Sequence, residues 1–71
     1  MNDEEIIRSA LKKIMSKNEA NTCVIRNGYD NGTGRTGWHI AGFGHPVMYF
    51  GESVEEVIDA IYDIYDGREA G

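Results

Sequence analysis

The residues of this 71-residue chain that could bind a soft metal or form a thiol nucleophile are Cys23, His39 and His45. One cysteine and two histidines are the kind of ligand set that zinc uses, and a Cys–His pair is the core of a thiol nucleophile. Their spacing matches no zinc motif, and no helix N-terminus or cation nearby in the sequence would lower the thiol pKa. An unpaired cysteine is most often a small core residue. We therefore expect no metal, no cofactor and no catalytic residue here.

A glycine-rich segment, GTGRTG at residues 32–37, satisfies the G-x-G-x-x-G spacing of nucleotide-binding loops. Dinucleotide sites need a helix after this segment, but the residues that follow, WHIAGF, indicate a strand. The chain also lacks the Gly-Lys pair of a P-loop and the lysine and metal-binding motifs of a kinase. Asn27-Gly28 and Asn31-Gly32 are hairpin signals. We therefore interpret the segment as a turn.

The net charge of −5 is concentrated at the C-terminal end of the chain. Residues 52–71 hold seven of the twelve acidic residues and one of the seven basic residues. An acidic balance argues against direct binding to the phosphate backbone of nucleic acids. The sequence therefore favours a protein partner with a basic surface.

Four acidic residues of the C-terminal segment recur at helical spacing and form what we call the acidic stripe: Glu55, Asp59, Asp63 and Asp66. Steps of four, four and three residues place them along one side of a helix, where like charges repel one another. Stability alone would not select this arrangement. We expect the stripe to bind the basic partner surface, with Tyr62 at its edge as an aromatic anchor. The alternative is a solvated face that maintains solubility.

A second candidate function, of a different class, is a regulatory protein that binds a small ligand at the glycine-rich hairpin. Trp38, His39 and His45 would line that site, and Tyr29 and Arg35 would make the hairpin tip a contact loop. Ligand binding would then change Trp38 fluorescence. An enzyme ranks third, because no nucleophile, base and orienting group come from one segment or one predicted face.

Two amphipathic helices are predicted from hydrophobic periodicity. The first covers residues 2–17, with Asn2 as its N-cap and Glu5 three residues later. For the second, Ser53 and Glu56 form a capping-box signature, and the helix is expected to end at the C′ glycine, Gly67.

Three short strands lie between these helices, at residues 22–26, 37–43 and 47–50, with a turn at Gly44-His45-Pro46. The order α-β-β-β-α predicts a single α+β domain over residues 1–71. Its three-stranded antiparallel sheet would carry both helices on one face. Trp38, Ile40 and Phe43 cannot all point to the same face, and residues 47–50 are apolar on both faces. We therefore expect an apolar patch on the open face and a homodimer through it.

The cellular compartment is inferred from the cysteine content and the N-terminal composition. Cys23 is the single cysteine, so no internal disulfide can form, and a reducing cytoplasm is expected. The acidic start MNDEEIIRSALKK is unlike a signal peptide. No run approaches the roughly 20 apolar residues of a membrane span, so no membrane association is expected.

The element order resembles that of the double-stranded-RNA-binding domain. That family begins its second helix with a lysine cluster, whereas this chain has ESVEEVID there. RNA binding is therefore not expected.

The segment GWHIAGFGHPVMYFGESVEEVIDAI resembles the strand, strand, acidic-helix ending of many very small phage and prophage proteins. That class includes anti-CRISPR proteins and other inhibitors of host factors. The resemblance implies a compact acidic inhibitor that occupies the basic groove of a nucleic-acid-handling protein, and it carries over no catalytic residue.

Overall fold

The computed structural model describes residues 2–42 and 44–70, except for the side chains of His45 and of residues 68–70. This part of the chain forms three helices and one antiparallel sheet with strand order β1-β2-β3. The elements are α1 (Asp3–Leu11), α2 (Lys17–Thr22), β1 (Val24–Asp30), β2 (Arg35–Gly42), β3 (His45–Gly51) and α3 (Val54–Ala70). The predicted α+β class and three-stranded antiparallel sheet are confirmed, and α2 is an additional element.

The first helix begins where the sequence predicts but ends earlier. The Asn2 side chain accepts a hydrogen bond from the backbone N–H of Glu5 at 2.8 Å, which caps the N-terminus of α1. The prediction that this helix continues to Lys17 is wrong, because α1 ends at Leu11. The physical reason for the break is Ser16, which caps the N-terminus of a new helix, α2.

The helix α2 is started by a capping box. The Ser16 hydroxyl accepts a hydrogen bond from the backbone N–H of Glu19 at 3.2 Å, and the Glu19 carboxylate accepts one from the backbone N–H of Ser16 at 3.4 Å. These bonds satisfy N–H groups at the start of α2 that have no intrahelical partner.

Arg8 fastens α2 to α1. Its Nη1 atom donates hydrogen bonds to the carbonyls of Ala20 at 2.6 Å and Cys23 at 3.0 Å. Both carbonyls lie at the end of α2, and that of Ala20 also accepts a longer hydrogen bond, at 3.4 Å, from the backbone N–H of Cys23. Arg8 therefore positions the start of β1 as well as α2.

The hairpin between β1 and β2 turns later than predicted. Asn27 and Gly28 lie inside β1, where Gly28 pairs with Gly37 of β2, so the interpretation of Asn27-Gly28 as a hairpin signal is wrong. The turn occupies residues 31–34 and is closed by a 2.8 Å hydrogen bond from the Gly34 N–H to the Asp30 carbonyl. Pairing on both sides of these two glycines, from Asn27–Trp38 to Asp30–Arg35, keeps Asn27 and Gly28 in the strand.

The connection from β2 to β3 is shorter than predicted. His45 and Pro46 lie in β3, so they are strand residues rather than turn residues. Phe43, which the sequence places at the end of the second strand, lies outside the described residues. The register shifts after the Trp38–Gly51 pair, because the next pair is His39–Tyr49. This bulge leaves Phe50 unpaired, and its side chain is buried in the core.

The last helix begins at its predicted cap and extends beyond its predicted end. The Ser53 hydroxyl accepts from the backbone N–H of Glu56 at 3.2 Å, while the Glu56 carboxylate accepts from the N–H of Glu52 at 2.9 Å. The prediction of Gly67 as a C′ residue is wrong, because α3 continues through it to Ala70. One helical glycine costs only about 1 kcal/mol relative to alanine, and the three residues that follow are good helix formers.

The core lies between the sheet and the helices. The helix α1 contacts β1 and α3, and α3 contacts β3, so both predicted helices lie on one face, as expected. The buried apolar residues come from every element: Ile7, Ala10, Leu11, Ile14, Ala20, Cys23, Ile25, Trp38, Ile40, Phe50, Val57 and Ile61.

Candidate functional site

The acidic stripe lies on the solvent side of α3. All four of its residues are exposed, whereas Val57 and Ile61 on the opposite side of the helix are fully buried. At 1.5 Å of rise per residue, the stripe extends about 16 Å along the helix axis, and its first three residues are spaced about 6 Å apart along that axis. The structure therefore brings together the four acidic residues that the sequence predicts as a binding surface.

The ion pairs of the described side chains do not include the acidic stripe. Among the described residues, the ion pairs are Arg8–Glu4 and Arg26–Asp30, and neither involves the stripe. The carboxylates of the stripe therefore repel one another, and no cation among the described side chains forms an ion pair with them.

Tyr62 lies at the edge of the stripe and is 40% exposed. The ammonium Nζ of Lys13 is 6.0 Å from the centroid of the Tyr62 ring. This distance is at the limit of a cation–π contact and leaves the ring available to a partner.

A second group of polar residues lies on the open face, which we define as the face of the sheet opposite the helices. His39, at its centre, is only 1% exposed. Its Nδ1 lies 2.9 Å from the carbonyl of Gly37, and its Nε2 lies 2.7 Å from the hydroxyl of Thr33. Thr33 belongs to the hairpin turn, so the turn curls back over the open face and covers His39.

Two further side chains continue this group toward solvent. The Tyr49 ring meets the His39 ring edge-on, with centroids 5.6 Å apart, and the Arg35 guanidinium lies 5.1 Å from the Tyr49 centroid. A Cβ on Gly37 would come within 2.9 Å of the Tyr49 ring, so the ring lies directly over this glycine. The open face is therefore polar and aromatic at its centre rather than an apolar patch, with Val24 and Val47 exposed elsewhere on the sheet.

Asp30 joins the hairpin turn to this group. Its carboxylate pairs with Arg26 and accepts a hydrogen bond from the backbone N–H of Thr33 at 2.9 Å. The hydrogen bond from Thr33, assisted by the Arg26 charge, holds the pKa of Asp30 below its ordinary value of 3.8.

The residues predicted for a small-ligand site converge only in part: among the described side chains, His39 and Arg35 belong to the group on the open face. Trp38 is buried against the helices, while the next residue, His39, belongs to the open face. The His45 side chain lies outside the described residues. Tyr29 is exposed on β1, and Arg35 is exposed on β2. The expectation that Trp38 and His39 line one site is therefore wrong, because adjacent strand residues point to opposite faces.

Cys23 has the environment of a core residue. It is buried, with Sγ 3.3 Å from the Glu19 carbonyl and 3.6 Å from the Met15 sulfur. Burial raises the pKa of the thiol, although the charge of Arg8 opposes the effect. Within the described residues no three His, Cys, Asp or Glu side chains are grouped to hold a metal, and no helix there is long and apolar enough to cross a membrane.

Sequence reasoning did not anticipate the contact between Thr33 and His39 or the pairing of Arg26 with Asp30. The Asp30-x-x-Thr33 spacing is a usable signal, because an aspartate often accepts from a nearby backbone N–H in a turn. The burial of His39 has no signal in the local sequence. No family model, curated protein or solved structure matches this chain.

Proposed function

We propose that this protein is a non-enzymatic interaction module that binds a basic protein surface through the acidic stripe, with Tyr62 as the aromatic anchor. The observation that carries the proposal is the position of four exposed carboxylates along one side of α3 without an ion-pair partner in the described chain. A complementary cationic surface would relieve the repulsion among them.

The helix is a suitable platform for such a contact. Val57 and Ile61 anchor α3 in the core, so the stripe is presented on a rigid element and little conformational entropy is lost on binding. The concentration of charge also steers association with a cationic partner and makes it sensitive to salt.

The target class we propose is a nucleic-acid-handling protein, which the module inhibits by occupying its phosphate-binding groove. Such grooves present arginine and lysine side chains to a line of negative charges. The stripe is also a line of negative charges, about 16 Å long. The resemblance of the C-terminal segment to small phage and prophage proteins supports the same class. Such a target, and the lone cysteine, favour a cytoplasmic location.

The proposal is tested by affinity capture from nuclease-treated bacterial lysate. Asp59→Lys/Asp63→Lys reverses the centre of the stripe, and Asp3→Lys/Glu5→Lys makes the same change in net charge on exposed residues of α1. We expect the wild type and the α1 variant to retain a partner that the stripe variant and high salt release.

Equal recovery by all three proteins would contradict the proposal, since it would mean that the stripe is only a solvated face. Loss from both variants would attribute binding to net charge rather than to α3. Far-UV circular dichroism of each variant verifies that the helices are intact.

A further inference from the structure

The strand β1 lies at an edge of the sheet and is unusually exposed. Among the described residues, the two most exposed large hydrophobic side chains are Val24 at 60% and Tyr29 at 59%, and both belong to this strand. The opposite edge strand, β3, contains Pro46, which lacks a backbone donor and hinders pairing. No proline occurs in β1. The two edges therefore differ in their capacity to pair with another strand.

Half of the backbone groups of β1 face away from β2, toward the open edge of the sheet. The carbonyl of Tyr29 accepts a 3.4 Å hydrogen bond from Nη1 of Arg26, so it points away from β2 toward solvent. Backbone groups alternate in direction along a strand, so those of Ile25 and Asn27 point the same way. An edge of this kind accepts an additional strand.

The charged residues of β1 are placed so that two antiparallel copies of the strand would have complementary charges. Arg26 and Asp30 lie on one strand two positions either side of Gly28. When two copies of β1 pair antiparallel about a twofold axis at Gly28, Arg26 of each copy faces Asp30 of the other. The intrachain ion pair seen in one copy would then be exchanged for two reciprocal pairs between copies, and no charge would lose its partner.

Gly28 is suited to the axis of such a pair. A Cβ at this position would meet no atom within 4 Å in the single chain, so the surrounding space is open. A glycine inside a strand often marks a place where another backbone approaches closely. Gly28, which lies in a strand rather than in the predicted turn, would allow the two backbones to approach closely at the axis.

We propose that β1 binds β1 of a second copy of this chain, antiparallel and centred on Gly28, to form a continuous six-stranded sheet. The dimer contact is the strand edge rather than the open face. The helix α3 contacts β3 at the far edge of each sheet, so both acidic stripes remain exposed and the dimer is bivalent. The dimer does not depend on the function proposed for the stripe.

The charge pairing is tested by sedimentation velocity at increasing protein concentration. Arg26→Asp places like charges opposite each other and is expected to abolish the dimer, as is Asp30→Arg. An equal mixture of the two variants restores opposite charges at both positions and is expected to dimerise. Lys17→Asp, which makes the same change in charge at an exposed residue of α2, is the matched control and is expected to dimerise like the wild type.

A monomeric wild type at every concentration would overturn the proposal, as would an Arg26→Asp variant that dimerises normally. Because Asp30 also holds the hairpin turn, a second measurement avoids that residue. Asn27→Cys in one copy and Tyr29→Cys in the other face each other in the proposed register.

Under mild oxidation we expect a disulfide in the mixture of these two cysteine variants and little in either alone. A disulfide that forms equally within one variant would contradict the register, and no disulfide in the mixture would contradict the edge pairing. Cys23 is buried and serves as an internal control, because the wild type should remain uncrosslinked.

Discussion

The hydroxyl of Thr33 at the hairpin turn lies 2.7 Å from Nε2 of His39, a residue that is almost completely buried. The other ring nitrogen, Nδ1, lies 2.9 Å from the carbonyl of Gly37. A carbonyl can only accept, so Nδ1 carries the proton, and in the neutral ring Nε2 accepts a hydrogen bond from Thr33. This pair fastens the turn to the open face of the sheet.

Replacing Thr33 by valine should destabilise the protein although the side chain keeps its shape. Thr33→Val leaves the buried Nε2 of His39 without its partner, and an unsatisfied buried acceptor costs about 1–3 kcal/mol. Urea unfolding monitored by Trp38 fluorescence measures the change. Thr36→Val, on an exposed position of β2, is the control and should leave the free energy of unfolding nearly unchanged. Equal effects of the two substitutions would refute the role of the Thr33–His39 bond.

The two glycines that face each other in the hairpin should respond differently to alanine. Their φ angles are similar, at 147° for Gly37 and 150° for Gly28. A Cβ on Gly37 would lie 2.6 Å from the Gly51 carbonyl oxygen, whereas one on Gly28 meets nothing within 4 Å. Gly37→Ala should therefore cost about 2 kcal/mol more than Gly28→Ala in chemical unfolding. Comparable losses would mean that backbone strain, rather than steric contact, determines both.

Loss of the Arg8 side chain should loosen α2. Its guanidinium donates to two carbonyls, and charge-assisted hydrogen bonds of this kind contribute about 2 kcal/mol to stability. We expect Arg8→Ala to lower the free energy of unfolding by about this amount and to speed amide exchange in α2. Lys12→Ala, an exposed position, should do neither. Unchanged exchange in α2 would show that Arg8 does not hold it.

Asp30 should make stability depend on pH in the acid range. Its pKa is lowered in the folded protein, chiefly by the hydrogen bond from Thr33, so its contribution is fully present above the unfolded pKa and is lost as pH falls through the folded pKa. Asp30→Asn retains an acceptor for the Thr33 N–H but loses the charge. The stability difference between wild type and Asp30→Asn should be constant near neutral pH and shrink as the pH falls below the ordinary carboxyl range. A difference independent of pH would contradict this assignment.

The elements with strong local signals were predictable from the sequence. The Asn2 and Ser53 caps act as expected, and apolar periodicity identified the helix faces that pack on the sheet. The break after Leu11 was also encoded locally, because Ser16 and Glu19 form a capping box that outweighs the continuing apolar pattern. The capping box is therefore visible in the sequence, but the prediction of one helix over residues 2–17 rests on the apolar periodicity instead.

The position of the hairpin turn and the burial of His39 on the open face could not be predicted, because both depend on contacts beyond the local sequence. Asn27-Gly28 has the local preference of a turn, but pairing of Gly28 with Gly37 keeps it in a strand. The burial of His39 requires the turn to fold back onto the sheet, which no local pattern encodes. The exposure of the acidic stripe was predictable, since it follows from helical periodicity alone.

The acidic stripe as a binding surface is tested most directly by site-specific photo-crosslinking at Tyr62, where benzoylphenylalanine replaces one aromatic side chain by another. Met48, a similarly exposed residue on β3, is the matched control position. We expect crosslinks from position 62 to a lysine- and arginine-rich surface of one protein, absent from position 48 and lost when Asp59→Lys/Asp63→Lys is added. Crosslinks that form equally from both positions, or that persist after the charge reversal, would contradict binding through the stripe.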